Sequence, residues 1–459
     1  MALMELASSP AWVNEYDACV KCGACLPVCP TYDAERMESF GPRGRVHLAG
    51  ALLGNRLKAT SGLTDRLTSC IDCKACVSVC PRGIAIDILF NAAKEKLAFF
   101  RAMGLMNRWI ALGVFWGRPL YPVLRFLDFL RRAVYEKVDP DRFPGRYFPF
   151  IWNGRKRKLP AVAPVPFFKM IERQEKQAGK VPKQGRRVVF FPGCVINFSE
   201  TDIGQATLKV LRHYGFEVIL PSEQLCCGIP LISMGERETA ARLADKNIRM
   251  LESFDAEAVI VSCASCAYTF KKEYPLLLTG QPARAAAFAE RVWDIHEFLD
   301  RRVPHFGEGL GPLSGKVTWH DPCHLKRGLG VSESPRKILR TVPGLEFSEM
   351  KDADRCCGFG GIFSLKHYDL SMKVAEVKVR RIEENGAERV VTGCPGCSLH
   401  LTDALHQSGR GKVDVRHTVQ ILAESISAGE VMERNARETS LVNIGRASGL
   451  SDPAMAKRN

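Results

Sequence analysis

The chain of 459 residues contains no Gly-x-Gly-x-x-Gly after an apolar run and no Walker loop, so neither a dinucleotide site nor a phosphate-cradling turn is evident. No nucleic-acid recognition module is present, which sets nucleic acid aside as a partner despite a formal charge of +15. The uncharged apolar run 109–117 is far short of the roughly twenty residues needed to span a bilayer. The first eighteen residues hold Pro10 and three acids, with no basic segment ahead of an apolar one. No signal peptide is therefore expected, and a cytoplasmic, reducing compartment is. Cysteine makes up about 4% of the chain, below the share of a disulfide-stapled scaffold. The hydrophobic fraction of 46% suffices for ordinary cores, and the length suits about three domains.

What is present is cysteine in patterns that use all eighteen residues. Two runs read Cys-x2-Cys-x2-Cys-x3-Cys-Pro: Cys19, Cys22, Cys25, Cys29 with Pro30, and Cys70, Cys73, Cys76, Cys80 with Pro81. This is the ligand run of a two-cluster [4Fe–4S] protein, in which each fourth cysteine crosses to the other cluster. One cubane would take Cys19, Cys22, Cys25 and Cys80, and the other Cys70, Cys73, Cys76 and Cys29. Zinc sites usually need two separated Cys-x2-Cys pairs instead.

The other ten cysteines form one pattern twice. Cys194, Cys226, Cys227, Cys263 and Cys266 are matched by Cys323, Cys356, Cys357, Cys394 and Cys397, at offsets of 129, 130, 130, 131 and 131 residues. Such regularity marks an internal repeat. In the first copy, hydrophobic patterning predicts strands at 187–191, 216–220 and 258–262, with helices at 201–214 (closed by Gly215) and 236–254. In the second it predicts strands at 316–319, 345–350 and 389–392, with a helix at 367–385 closed by Gly386. Alternating strands and helices favour a parallel sheet, and every cysteine of the pattern follows a strand end, where such sheets place their sites. Soft thiolates in a reducing compartment again favour iron–sulfur, with a redox disulfide or zinc as the competing readings. Neighbouring cysteines can face one site only where the backbone is freed, and Gly228 and Gly358 follow the two pairs. Gly360 and Gly361 join Gly358 as small residues whose N–H groups can approach cluster sulfurs and tune them. His320 and His324 flank Cys323; either is a candidate to donate a hydrogen bond to a cluster or to relay a proton, and a purely structural role is the alternative for both. No residue stands out as catalytic.

The expected architecture is α+β and multidomain. Residues 1–95 form a helical ferredoxin module with two [4Fe–4S] cubanes, including helices near 45–57 and 87–100. Residues 96–184 combine aromatic and arginine residues in amphipathic helices, followed by a basic, Pro/Lys/Gln-rich linker. Residues 185–305 and 306–430 are the repeated α/β domains, and 431–459 a polar tail. Much of the positive excess lies between Arg155 and Arg187, with eleven Lys/Arg against two Glu. A solvated linker, an acidic partner and an anionic membrane surface all account for it. The aromatic–arginine stretch could pack on the chain's own domains, enter a partner's groove or touch a membrane peripherally.

The motifs Cys-Val-Lys-Cys-Gly-Ala-Cys-Leu-Pro-Val-Cys-Pro-Thr-Tyr (19–32), Gly-Pro-Arg-Gly-Arg (41–45), His-Asp-Pro-Cys-His (320–324), Cys-Cys-Gly-Phe-Gly-Gly (356–361) and Cys-Pro-Gly-Cys (394–397) resemble those of the iron–sulfur subunits of flavin-linked 2-hydroxyacid dehydrogenases, the glycolate oxidase and lactate dehydrogenase complexes. The paired cysteine-rich domains resemble the CCG domains of heterodisulfide reductases. The resemblance implies one or two further [4Fe–4S] clusters, of noncubane type, in the CCG domains. It implies no flavin on this chain, an FAD-binding dehydrogenase subunit as partner, and a quinone or other carrier as electron acceptor. A heterodisulfide-reductase-like subunit that cleaves a disulfide is the alternative, and the iron–sulfur subunit of anaerobic glycerol-3-phosphate dehydrogenase a more distant one. Cys-Ala-Ser-Cys at 263–266 departs from the glycine form found at 394–397.

Overall fold

The computed structural model describes residues 10–99, 162–178 and 185–447. Most of the aromatic–arginine stretch, with the amphipathic helices expected in it, lies outside them.

Residues 10–99 are helical, without a strand among them. Prolines open Pro30–Glu35 and Pro42–Leu53, where a missing N–H costs nothing. The Thr60 hydroxyl caps Ser61–Thr68 by accepting from Leu63 N–H at 3.2 Å. Helix Pro42–Leu53 turns Val46, Ala49 and Leu53 onto Leu89, Phe90, Ala93 and Leu97 of Ile86–Phe99. The two cysteine runs occupy the loops that this small core holds in place.

Each repeat forms a four-stranded, wholly parallel sheet. In the first, β1 (Arg186–Phe191), β2 (Phe216–Ile219), β3 (Ala258–Val261) and β4 (Val292–Asp294) lie in the order β2-β1-β3-β4. In the second, β5 (Lys316–His320), β6 (Glu346–Phe347), β7 (Arg389–Thr392) and β8 (Asp414–His417) lie in the order β6-β5-β7-β8. Val188–Phe191 and Ala258–Val261 are buried on both faces, which is why they read as unbroken apolar runs. The chain leaves the first strand of each sheet to one side and returns on the other. A topological switch point therefore opens at the carboxyl ends of β1 and β3, and of β5 and β7.

Four features differ from the expectation. Strands β4 and β8 fall outside it, because Val-Trp-Asp is short and Asp-Val-Arg-His lacks an apolar pattern. Strand β6 keeps only two of the six residues expected. The expected linker contains a helix, Phe167–Ala178, whose Phe167 and Ile171 pack on Phe190 and Leu208. The expected polar tail begins inside the helix Thr418–Ala447.

One apolar core, from Val188 to Ile426, runs through both repeats. The last helix returns to the first repeat, where Lys209 pairs with Glu430 at 2.9 Å and donates to Ser427 at 2.7 Å. The N-terminal module docks chiefly on the second repeat. Phe40, Ile71 and Ala75 pack on Phe363, Leu370 and Val374, flanked by the ion pairs Arg355–Asp33 and Lys373–Glu35.

Candidate iron–sulfur sites

The two N-terminal runs interleave. Cys19, Cys22, Cys25 and Cys80 line one cavity with Arg43 and Arg82, while Cys29, Cys70, Cys73 and Cys76 line another with Arg45. The loops share an unusual backbone. Lys21 and Gly23 in the first, and Asp72 and Lys74 in the second, all have φ between 61° and 80°. Left-handed residues at matching places reverse the chain twice, so three thiols face one point. Cys29 is drawn the other way, its sulfur 3.3 Å from the Thr31 hydroxyl at the start of the next helix.

Arg45 is 1% exposed, yet no carboxylate lies within ion-pair distance among the described residues. Its guanidinium donates to Arg66 O and Ser69 O, each at 2.9 Å, and to the Thr31 hydroxyl at 3.1 Å. A buried, unpaired cation is costly unless an anion faces it. Burial raises the Cys70 thiol's pKa, and Arg45 partly opposes this. Cys76 is pushed well up, by burial first and then by neighbouring thiols. Cys25 rises to about 11, chiefly through burial. Cys70, Cys73 and Cys76, crowded thiols that resist ionising, stand beside a cation without a counterion and fit a thiolate-ligated [4Fe–4S] cluster.

In each repeat the five cysteines gather at the switch point. In the first, the Cys194 and Cys226 sulfurs are 3.9 Å apart, and Cys227 interacts with Cys226 and Cys266. In the second, Cys323 interacts with Cys356, and Cys357 with Cys356 and Cys397. The glycine after each pair adopts positive φ, +91° at Gly228 and +96° at Gly358, and turns its N–H onto the preceding sulfur. Gly228 N–H donates to Cys226 Sγ at 3.5 Å and Gly358 N–H to Cys356 Sγ at 3.4 Å. Gly360 does something else: a Cβ there would stand 3.0 Å from Ile71, so its smallness serves module docking. Gly361, at φ +57°, starts the helix Ile362–Lys366.

The four thiol groups stand in a row that chain order does not suggest. The Cys19 group lies at the outer end, with Cys22 exposed. The Cys70 group abuts the second repeat, because the Cys73 thiol interacts with Cys356, and this contact and burial raise its pKa. Arg327 reaches back to Cys73 O at 3.4 Å. The second repeat meets the first where Cys394 interacts with Cys263 and where Ala264 N–H donates to Gly393 O at 3.2 Å. Ser265 sits at this seam, its hydroxyl 3.9 Å from Cys394 Sγ and 3.0 Å from His324 Nδ1. His324 stacks on Tyr268 with ring centroids 4.7 Å apart, so it serves the junction between repeats.

Apart from His320, which the sequence singles out beside Cys323, several buried residues at these sites had no usable signal in the sequence. His320 ends β5, and one of its ring nitrogens lies within 4.8 Å of the Cys357 and Cys397 sulfurs. Lys378 is fully buried beside the Cys356–Cys357 pair, donating to Asp352 O at 2.6 Å and Ala353 O at 3.0 Å. Burial lowers its pKa to about 8, opposed first by Cys357. His296, between Asp294 (2.7 Å) and Thr418 (2.9 Å), ties β4 to the final helix. Asp294 and His417 gave no signal because they lie on the two unexpected strands.

Comparison with known proteins agrees with this geometry. A 4Fe-4S dicluster domain matches residues 15–84, and a cysteine-rich CCG domain matches 188–271 and again 317–402. The chain belongs to the family of iron–sulfur subunits that join a dicluster module to paired CCG domains, and it carries multiple [4Fe–4S] sites. It is 31% identical to the probable glycolate oxidase iron–sulfur subunit of Bacillus subtilis, over 89% of this chain and 93% of that one. Lactate utilization protein A of Lysinibacillus sphaericus is 35% identical over 48% of this chain and 96% of its own. A component of the dihydromethanophenazine:CoB–CoM heterodisulfide reductase of Methanosarcina acetivorans is 28% identical over 90% of this chain and 94% of its own. A crystal structure of a hypothetical protein from Helicobacter pylori shares the fold, with a TM-score of 0.51 at 9% identity, over 88% of this chain and 71% of that one.

Proposed function

We propose that this chain is the electron-transfer subunit of a flavin-linked 2-hydroxyacid dehydrogenase, joining an FAD-binding partner to a quinone or other carrier. The row of four thiol groups carries this reading. The eighteen cysteines would be the ligands: Cys19, Cys22, Cys25 and Cys80 for one cubane, Cys29, Cys70, Cys73 and Cys76 for the other, and five in each repeat for the CCG clusters. When bound, such clusters supply one-electron donor and acceptor states. The protein's own residues fix the spacing, through contacts such as Cys73 with Cys356 and Cys263 with Cys394, and bury most of the cysteines of the two repeats.

The outer group is the natural docking end for a redox partner. Exposed Val20 (61%) lines it with Lys21 and Arg82, and exposed Val28 and Val79 precede Cys29 and Cys80 in the chain. An apolar centre with a basic edge suits a partner whose docking face is acidic. The test is anaerobic purification with whatever accompanies the chain, followed by addition of lactate or glycolate. About sixteen irons per chain, a flavoprotein companion and substrate-dependent cluster reduction would support the proposal. Loaded clusters that no 2-hydroxyacid reduces in the complex would refute it.

A second reading rests on the seam. The two CCG thiol groups face each other across Ser265 and His324, so a disulfide could be cleaved there, as the name of the Methanosarcina relative suggests. Disulfide turnover by the isolated, loaded chain with an artificial electron donor would favour it; none would exclude it.

A further inference from the structure

The two repeats keep the same five cysteines but surround them differently. His320 ends β5 and pairs in register with Thr392; Phe191 ends β1 and pairs with Val261. The 129-residue offset between Cys194 and Cys323 relates His320 to Phe191. Phe191 packs on Phe270, ring centroids 4.7 Å apart, and offers no polar atom. His320 is 0% exposed, and neither ring nitrogen has a hydrogen-bond partner among the described residues. Leaving such a group unpaired costs about 1–3 kcal/mol, which selection tolerates where something else completes it. The second difference is charge. Lys378 brings a buried ammonium, with no carboxylate at ion-pair distance among the described residues, to the second repeat's cysteine pair. At the comparable place the first repeat has Asn247, a neutral amide that donates to Cys226 O at 2.9 Å and accepts from Leu225 N–H at 3.1 Å.

We propose that His320 and Lys378 make the two CCG clusters inequivalent: the His320 imidazole donates a hydrogen bond to a sulfur of the second-repeat cluster, and with the Lys378 ammonium it holds that cluster at a higher midpoint potential than the first. An N–H dipole and a buried cation both favour the reduced, more negative state, in which one electron is added and no bond changes. Beyond the glycine N–H that both repeats share, the first repeat has no counterpart of the His320 imidazole or the Lys378 ammonium among the described residues. An electron arriving from the N-terminal module would thus rest on the cluster it meets first, and passage across the seam would be the uphill step.

The inference rests on iron–sulfur occupancy of the second repeat, and iron per chain in each preparation tests that separately. The experiment is an anaerobic redox titration of the loaded full-length chain followed by electron paramagnetic resonance, with signals assigned by their loss in Cys226→Ser and Cys356→Ser. The second-repeat midpoint is expected to lie above the first. His320→Phe and Lys378→Met should each lower it at unchanged iron content, His320→Gln should largely preserve it, and Phe191→His should raise the first. In wild-type chain labelled with 15N-histidine, pulsed resonance should find a weakly coupled nitrogen on the second-repeat signal. Equal midpoints, or no shift in the loaded His320→Phe and Lys378→Met chains, would overturn the proposal. So would the absence of that nitrogen coupling, or a coupling strong enough to mean direct ligation.

Discussion

Single buried charges reveal most about this molecule. Arg45 fills a space where a neutral side chain would cost less to bury, and its four acceptors, Arg66 O, Ser69 O, Ser69 Oγ and Thr31 Oγ1, account for hydrogen bonding but not for charge. Arg45→Met removes those hydrogen bonds and is expected to cost at least about 2 kcal/mol. It should also lower the iron retained by the Cys70 group; thermal melting and iron analysis of the purified variant check both effects. Lys366 is the opposite case: among the described residues no carboxylate pairs with it, and burial, aided by Lys94, brings its pKa down to about 8. An unfolded lysine titrates near 10.4, so between these values the unfolded chain binds more protons, and stability from this group rises with pH. Its penalty is full below pH 8 and fades as pH rises towards about 10.5. Lys366→Met should melt higher than wild type at pH 7, by a margin that narrows by pH 10. A margin independent of pH would assign the gain to packing.

Among the elements, the Cys-Cys-Gly turns were the most legible and differ most in what surrounds them. Both glycines hold positive φ, but a Cβ at Gly358 would stand 2.6 Å from Ser371 O, whereas at Gly228 nothing comes nearer than 3.9 Å. Gly228→Ala should carry only the left-handed backbone cost, about 1–2 kcal/mol. Gly358→Ala adds a clash with backbone and should prevent the second repeat from loading, seen as a loss of about four irons with the N-terminal signals intact. The strands were legible where both faces are buried, as in Val188–Phe191. Strands β4 and β8 were not, because neighbours supply their pairing rather than an internal pattern. Helix Phe167–Ala178 was hidden for a related reason: prolines and lysines dominate its surroundings, and its Phe167–Ile171 face has meaning only against Phe190 and Leu208.

At the scale of the whole molecule, module order departs from chain order. The ferredoxin module precedes the first repeat in sequence but places Cys73 against the second. Ile71 is central to that contact, packing on Phe363 beside Gly360. Ile71→Asp should leave the cubanes loaded yet slow the passage of electrons from the N-terminal clusters to the CCG clusters, a delay readable by rapid-freeze resonance. An unchanged rate would mean that the seam at Cys73 is not the route. At the outer end, Lys21→Glu with Arg82→Glu should weaken the salt dependence of reduction by the partner while leaving reduction by dithionite unchanged. Among the described residues no helix is long and apolar enough to cross a membrane.

The sequence by itself determined the chemistry: ligand runs and repeats are local spacings, and thiolate spacing is what a cluster selects. It also determined the fold class, since buried parallel strands and glycine-closed helices leave one-dimensional patterns. Only the tertiary structure decided which clusters are neighbours, which face is left open and which buried polar residues attend each site. Those depend on contacts such as Cys73 with Cys356 or Cys263 with Cys394, between residues more than a hundred positions apart. Such contacts arise when separate apolar faces find one another, and no periodicity along the chain records that meeting.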